Sequence, residues 1–324
     1  MQEFNDFIEN HSSIILTTHD RPDADGLGAE ILLAHVLAQK EKEVRIINSA
    51  PIPERFAYMD PGGIVESWDA SKHAGLPEKS ALIIVDTSDE YNIGLTSEAI
   101  LSKAKAVFVI DHHELNPLST LKGYIDPTSS STCEMIMDIV DCFGISLNRD
   151  IAAAAFSGIV YDTGSFAYAK TSERTFKAAL TLVKTGIKPY DIYQNLFESS
   201  STGALLLQKK VLSTLEIYND GNIAVQILRK EDLESTGANF EDAEAFINVP
   251  LKSKNVEVSI MIKENHDGSV RCSLRSKGKV SVSKIAQNFS GGGHATAAGF
   301  RSKTGIEETL VKVLAKTAEA LDKR

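Results

Sequence analysis

The sequence predicts an α/β protein: an N-terminal lobe on a mainly parallel sheet, a helical connector, and a smaller C-terminal α+β lobe. Three observations carry this expectation. At 324 residues the chain is longer than single hydrophobic cores usually grow, which favours two lobes. The runs from Ser80 to Val85 and from Lys105 to Ile110 are continuously apolar, the pattern of parallel strands covered on both faces. Beyond about residue 214 the pattern changes to short strands separated by Asn219-Asp220-Gly221 and His266-Asp267-Gly268, which read as hairpin turns.

Taken in order, Ser13 to Thr18 is a short buried strand, and Asp25 to Leu37 is the helix that follows it. Between them Pro22 holds a turn, while Gly26 and Gly28 let backbone or ligand approach closely. Glu43 to Asn48 is a second strand, and the Pro- and Gly-containing stretch from Pro51 to Gly63 is loop. The two apolar runs each stop at an aspartate, Asp86 and Asp111, and His112 and His113 follow the second at once. Helical patterns cover Thr132 to Cys142, Arg149 to Tyr161 and Ser172 to Thr185, with Gly186 as a C-terminal stop. Lys188 to Thr214 is polar, helical and without a strand, and reads as a connector. Strands over Leu215 to Tyr218, Asn222 to Leu228, Val256 to Lys263 and Val270 to Leu274 follow, with helices near Phe240 to Ile247, Val282 to Asn288 and Ile306 to Leu321. The expected divisions are 1–187, 188–214 and 215–324, with the active site in the cleft between the lobes.

The bulk composition excludes several classes. No segment is long and apolar enough to span a bilayer, and the acidic opening is unlike a signal peptide, so a cytoplasmic protein without membrane association is expected. Cys133, Cys142 and Cys272 are scattered and lack CxxC spacing, which argues against structural zinc. A net charge of −10 argues against long nucleic acid as a partner. The charge is uneven: residues 252–303 hold ten Lys or Arg against three Asp or Glu, a local +7 that leaves −17 elsewhere. An acidic lobe joined to a basic one suits a site holding metal on one side and a small anion on the other.

The residues at the ends of the predicted elements carry the chemistry. His19, Asp23, Asp25, Asp86, Asp111, His112, His113 and Asp162 would converge, because ligands of open α/β sheets collect at strand carboxyl ends. Four carboxylates brought close repel one another unless cations lie between them. Two divalent ions would balance Asp23, Asp25, Asp86 and Asp162. Mixed oxygen and imidazole donors suit Mn2+, with Mg2+ or Co2+ as alternatives. Two such ions can stabilise both ends of an in-line displacement at phosphorus, which points to phosphoester hydrolysis.

The spacing His19-x3-Asp23-x-Asp25, the strand end at Val85-Asp86, Asp111-His112-His113 and Tyr161-Asp162-Thr163-Gly164 resemble the four motifs of the DHH phosphoesterase family. Ser290-Gly291-Gly292-Gly293-His294, preceded by Ser273-Leu274-Arg275-Ser276, resembles the DHH-associated domain of the same proteins. In length and layout the chain is similar to members that degrade short oligoribonucleotides and dephosphorylate 3'-phosphoadenosine-5'-phosphate (pAp). The resemblance implies that His19, Asp23 and Asp86 hold one metal and Asp25, Asp86, His112 and Asp162 the other. It makes Asp111 the residue that orients an imidazole, and sets His113 facing the phosphate, to stabilise charge or protonate the leaving oxygen. It further implies that Arg275 and the segment Gly291, Gly292, Gly293 and His294 grip a phosphate or sugar. Ser129 to Thr132, with Ser131 and Thr132 nearest the helix, read either as a phosphate contact at a helix N-terminus or as a plain N-cap. Ala29 departs from the serine that many relatives carry near the end of the first motif.

Expected substrates are short RNA oligonucleotides, pAp or dinucleotides, and the sequence leaves monomer and homodimer open. Rival enzyme readings are a family II inorganic pyrophosphatase, disfavoured by the glycine-rich motif, a phosphodiesterase of linear or cyclic dinucleotides, and a RecJ-like exonuclease, disfavoured by the acidic charge. An inactive nucleotide-binding regulatory protein would be expected to have lost ligands, and none of the expected set is missing.

Overall fold

The apolar runs of the N-terminal half become neighbouring strands of one six-stranded parallel sheet. The computed structural model describes the chain apart from residues 115–118, 266, 294 and 323–324 and the side chain of Glu241. It divides into two units, Met1–Ser199 and Ser200–Arg324.

The first unit runs α1 (Gln2–Glu9), β1 (Ser13–Thr17), α2 (Ala24–Gln39), β2 (Glu43–Asn48), β3 (Val65–Ser67), α3 (Ala70–His73), β4 (Ala81–Val85), β5 (Val107–Asp111), β6 (Gly123–Ile125), α4 (Thr132–Phe143), α5 (Arg149–Asp162), α6 (Glu173–Val183) and α7 (Pro189–Phe197). Strand order is β3-β2-β1-β4-β5-β6 with every neighbouring pair parallel. Alternate residues of each central strand enter opposite cores. Leu16, Ile83 and Ile110 join the layer with α1, α2, α4 and α5, whereas Ile15, Leu82, Ile84 and Val109 pack with Ile93 and Ile100 on the other face. Burial on both faces is why these strands show no period-two alternation. Helix α2 is buried nearly all round, between the sheet and α5.

The second unit runs α8 (Thr202–Ser213), β7 (Glu216–Tyr218), β8 (Ile223–Leu228), α9 (Lys230–Thr236), β9 (Val258–Glu264), β10 (Val270–Ser276), α10 (Val282–Gln287), β11 (Gly292–Gly293), β12 (Ala297–Ser302) and α11 (Ile306–Asp322). Its sheet order is β11-β12-β10-β9-β8-β7, antiparallel except for β8 with β9. One face carries the main core with α10 and α11, and the other is partly covered by α8 and the turns of 241–248.

Several details differ from the sequence reading. The helix expected over 240–247 is two short 3-10 turns, Glu241–Ala243 and Phe246–Asn248, a stretch too short to offset helix nucleation. Strands β3, β6, β11 and β12 and helices α1, α3 and α9 were not anticipated, and the His266 position of the second hairpin lies outside the described residues. The helices of the connector separate: Ile192 of α7 joins the core of the first unit, while Leu207 and Val211 of α8 join a core of the second.

Candidate metal centre

The strand order of the first sheet reverses between β1 and β4, so the carboxyl ends of these two strands border one crevice. His19 follows β1 and Asp86 ends β4. Asp86 has φ +62°, a left-handed conformation that costs most residues energy and that Asp tolerates better than most. Its backbone N–H donates to Ile110 O, which fixes the β4 end against β5, and its Oδ1 accepts from Thr132 Oγ1 at 2.9 Å.

Asp23 is the N-cap of α2, its Oδ1 accepting from Asp25 N at 3.0 Å and Gly26 N at 3.1 Å. His19 Nε2 lies 3.7 Å from Asp23 Oδ1 and 3.6 Å from Asp86 Oδ2. Burial pulls the His19 imidazole down, but these two carboxylates outweigh it and raise its pKa to about 11. Asp23 shows the reciprocal effect, burial raising its carboxyl and His19 holding it below its ordinary value.

The second group forms where α2, α4 and α5 meet. Asp25, fully buried, accepts from the first amides of α4: Thr132 N to Oδ2 at 2.6 Å and Cys133 N to Oδ1 at 3.0 Å. This approach depends on Gly158, where a Cβ would fall 2.5 Å from Cys133 Sγ and 2.9 Å from Asp25 Oδ1. His112 Nε2 stands 3.0 Å from Asp162 Oδ2, 3.5 Å from Asp86 Oδ1 and 3.9 Å from Asp25 Oδ2. Burial lowers the His112 imidazole, yet Asp162, Asp86 and Asp25 raise it to about 10. Burial and the neighbouring carboxylates push Asp25 well up, and burial also raises Asp162.

Ligand atoms therefore gather in overlapping groups, each within 4.8 Å: His19, Asp23 and Asp86; Asp25, His112 and Asp162; and Asp86, His112 and His113. A pair of divalent cations fits this arrangement. The donors are oxygen and imidazole nitrogen, and His112 Nε2, buried and 3.0 Å from Asp162 Oδ2, is not aligned with it as a hydrogen bond. Beside the groups, Asp111 Oδ1 accepts from His113 N at 3.1 Å and meets His113 Nδ1 at 2.8 Å, fixing the ring. The His112 and His113 rings meet edge to face at 4.4 Å between centroids.

Ser131 and Thr132 lie beneath the carboxylates, both fully buried. Ser131 Oγ accepts from Glu134 N as the N-cap of α4, and Thr132 supplies its hydroxyl to Asp86 and its amide to Asp25. The two amides at the start of α4 are thus engaged by the protein's own aspartate. Residues the sequence reading missed lie one layer out. Glu30 Oε2 accepts from Asn48 Nδ2 at 2.8 Å, and Asn48 Oδ1 accepts from the backbone N–H of Thr18, next to His19. The available signal was a lone acid inside the apolar helix text around Leu27 to Leu33.

In the second unit Arg275 projects from β10, paired with Ala297 of β12 and Ser259 of β9, and its Nη1 donates to Leu274 O. Gly292 and Gly293 pair with Gly299 and Ala298 on the far side of β12. Gly293, at φ +131°, would place a Cβ 2.5 Å from Ala297 O, so only glycine fits. Arg275 and the glycine-rich segment thus belong to neighbouring parts of one sheet, and His294 lies outside the described residues.

Comparison with known proteins agrees with this architecture. The N-terminal domain of the DHH family matches residues 13–159, and the DHHA1 domain matches residues 220–322. A bifunctional oligoribonuclease and PAP phosphatase NrnA from Thermus thermophilus is 29% identical over 95% of this chain and 90% of that protein. A cyclic-di-AMP phosphodiesterase GdpP from Bacillus subtilis is 27% identical over 95% of this chain but 48% of its own length. The crystal structure of an exopolyphosphatase-related protein from Bacteroides fragilis superposes with a TM-score of 0.89 at 26% identity, covering 98% of this chain and 95% of that one.

Proposed function

The chain belongs to the DHH family of phosphoesterases, and from that premise we propose that it hydrolyses short oligoribonucleotides to mononucleotides and removes the 3'-phosphate of pAp. The observation that carries this reading is the pair of donor groups, His19, Asp23 and Asp86 beside Asp25, His112 and Asp162. Similarity to the Thermus oligoribonuclease over nine-tenths of both chains supports the substrate class.

Two divalent ions, Mn2+ on the chemistry of the donors, would activate water and neutralise charge on the phosphoryl group. The chain's own residues supply the rest. Asp86 lies within 3.6 Å of His19 Nε2 and 3.5 Å of His112 Nε2 through different carboxylate oxygens, so it serves both groups. The Thr132 hydroxyl and the left-handed backbone aim it. Asp111 holds His113 through Nδ1; burial lowers this imidazole, but Asp111 and Asp86 raise it above its ordinary value. His113 then stands as a proton donor for a phosphoryl or leaving oxygen. In the second unit Arg275 offers a guanidinium fork to the nucleotide's phosphate or sugar, beside the glycine-rich segment Gly291 to His294, whose Gly291 N–H is itself held by Ala286 O.

The test is a substrate panel of pAp, di- to pentaribonucleotides, linear and cyclic dinucleotides and pyrophosphate under one manganese condition. Release of mononucleotides from the short RNAs is expected, and retained activity in Asp86→Ala would count heavily against the assignment. Arg275→Ala should raise KM while leaving metal content intact. A second reading, hydrolysis of linear or cyclic dinucleotides, is favoured by the similarity to GdpP, and the same panel separates the two.

A further inference from the structure

A turn of unusual backbone follows Asp162 directly. Gly164, Ser165 and Phe166 have φ of +54°, +59° and +66°, so three residues in a row are left-handed and two of them carry side chains. A bulky residue in this region is an outlier that its surroundings must impose. Buried Thr163 imposes it. Its hydroxyl donates to Ile159 O in α5 at 2.6 Å and accepts from Phe166 N at 3.0 Å, and its carbonyl accepts from the N–H groups of Ala167 and Tyr168, each at 2.9 Å. Ser165 N donates to Val160 O, and the Phe166 ring stacks on that of Phe176 with 5.2 Å between centroids. Strain held in place by so many contacts clusters at active sites and ligand clamps.

The turn presents the ring of Tyr168. A Cβ on Gly164 would fall within 2.7 Å of Cε1, Cζ and Cε2 of that ring. Three consecutive ring atoms at nearly one distance put that point over the ring's face, so the ring lies flat against Gly164 and a larger residue would displace it. The opposite face is left to solvent, with Tyr168 62% exposed. Two residues on, Lys170 Nζ donates to His112 O at 3.2 Å, while Asp162 at the start of the turn stands 3.0 Å from His112 Nε2. Both ends of the segment therefore meet His112, and Gly164 Cα lies at most about 7.6 Å from Asp162 Cα, two peptide steps away. Single exposed aromatics are ordinary on protein surfaces. One laid flat on a glycine by a strained turn, at the rim of a phosphoryl site, has the form of a stacking platform.

We propose that the outer face of Tyr168 stacks the base of the nucleotide whose phosphate lies at the metal centre. The contact favours nucleotides over phosphate esters that lack a base, and it tolerates any sequence because every base has a π face. It rests on the phosphoesterase reading of the centre, and it places a base contact in the first unit in addition to the grip at Arg275.

The experiment uses titration calorimetry of the full chain in Mn2+ with adenosine 5'-monophosphate (AMP) and with ribose 5-phosphate, which share sugar and phosphate and differ by the base. AMP is a product of the proposed reactions, so binding is read without turnover. The wild type should bind AMP at least tenfold more tightly than ribose 5-phosphate; Tyr168→Phe should keep that preference and Tyr168→Ala should lose about tenfold of it, as one stacked base requires. A preference unchanged in Tyr168→Ala overturns the proposal, as does one lost equally in Tyr168→Phe, which would place the contact at the hydroxyl. Bound manganese is counted in each variant. Weaker binding of both ligands alike, with manganese lost, gives Tyr168 a purely structural role and also overturns it. The expected affinities in a chain that cleaves none of the substrate panel would overturn the hydrolytic reading and leave the platform standing.

Discussion

Glu30 offers a test of how the site is underpinned. Its side chain is fully buried in α2; Oε2 accepts from Asn48 Nδ2, and Oε1 has no partner among the described residues. Burial raises its carboxyl from an ordinary value of 4.5 to about 8, and the Asn48 hydrogen bond only partly opposes this. The folded protein therefore holds Glu30 neutral at pH 7. A carboxyl raised on folding stabilises fully below its unfolded value, and that stabilisation is lost as pH climbs through the folded value. Between pH 4.5 and 8 the slope is about −1.4 kcal/mol per pH unit, which sums to about 5 kcal/mol. Glu30→Gln keeps the acceptor for Asn48 and cannot ionise. Urea denaturation in chelator at pH 5, 6.5, 8 and 9 should find the variant within about 1 kcal/mol of the wild type at pH 5. The variant should then gain on it by several kcal/mol at pH 9. Groups that do not act on Glu30 cancel in the difference, which leaves Glu30 and its smaller interactions with His19 and Asp86. Two stability curves that run parallel from pH 5 to 9 would refute the claim that Glu30 is buried in its neutral form.

Three further outcomes follow from the geometry. Asp86→Asn and Asp86→Ala should each abolish turnover, but at φ +62° the alanine variant should also be less stable than the asparagine variant by about 1 kcal/mol, read by denaturant melts. Gly158→Ala forces a methyl against Cys133 Sγ and Asp25 Oδ1, so it should cost about 1–3 kcal/mol and lower the bound metal counted by elemental analysis. Chelation should lower the melting temperature, and Mn2+ at 100 times its Kd should restore about 2.7 kcal/mol per site, with no such restoration in Asp86→Ala.

Much of the first unit was legible because burial on two faces writes itself as unbroken apolar text. Ile83 and Val85 face one core while Leu82 and Ile84 face the other, and an aspartate follows the run where the strand reaches the buried cluster of acids and imidazoles. What was illegible depends on tertiary contact. Val65 to Ser67 and Gly123 to Ile125 are three-residue edge strands held by one neighbour each, with no periodicity to read. Gly292 and Gly293 form a strand despite the poorest propensity, because β12 supplies the pairing, and at Gly293 the space beside Ala297 O admits nothing larger. Ser131 and Thr132 looked equally suited to a ligand or a cap. Only the arrival of α2, through Gly158, shows that Asp25 takes the amides a phosphate could have used.

That last contact bears on why the centre suits cations. Two short amide hydrogen bonds at the start of a helix should depress a carboxylate, since they favour its charged form. Asp25 receives both and is nevertheless pushed well up, first by complete burial and then by Asp86 and Asp162. Protein dipoles have thus been applied to this group and do not suffice. Protonation would restore neutrality, but only by removing donors from a group whose ligand atoms already lie within 4.8 Å of one another. His19 and His112 show the same imbalance from the other side, attracting protons to about pH 11 and 10 because carboxylates crowd their ring nitrogens. A divalent ion in each group would replace those protons with more charge at the same positions, and it would let Asp25, Asp86 and Asp162 remain ionised together. The fold spends a helix terminus, a left-handed backbone and a packing glycine to hold these anions close, and each device makes sense when a metal completes the balance.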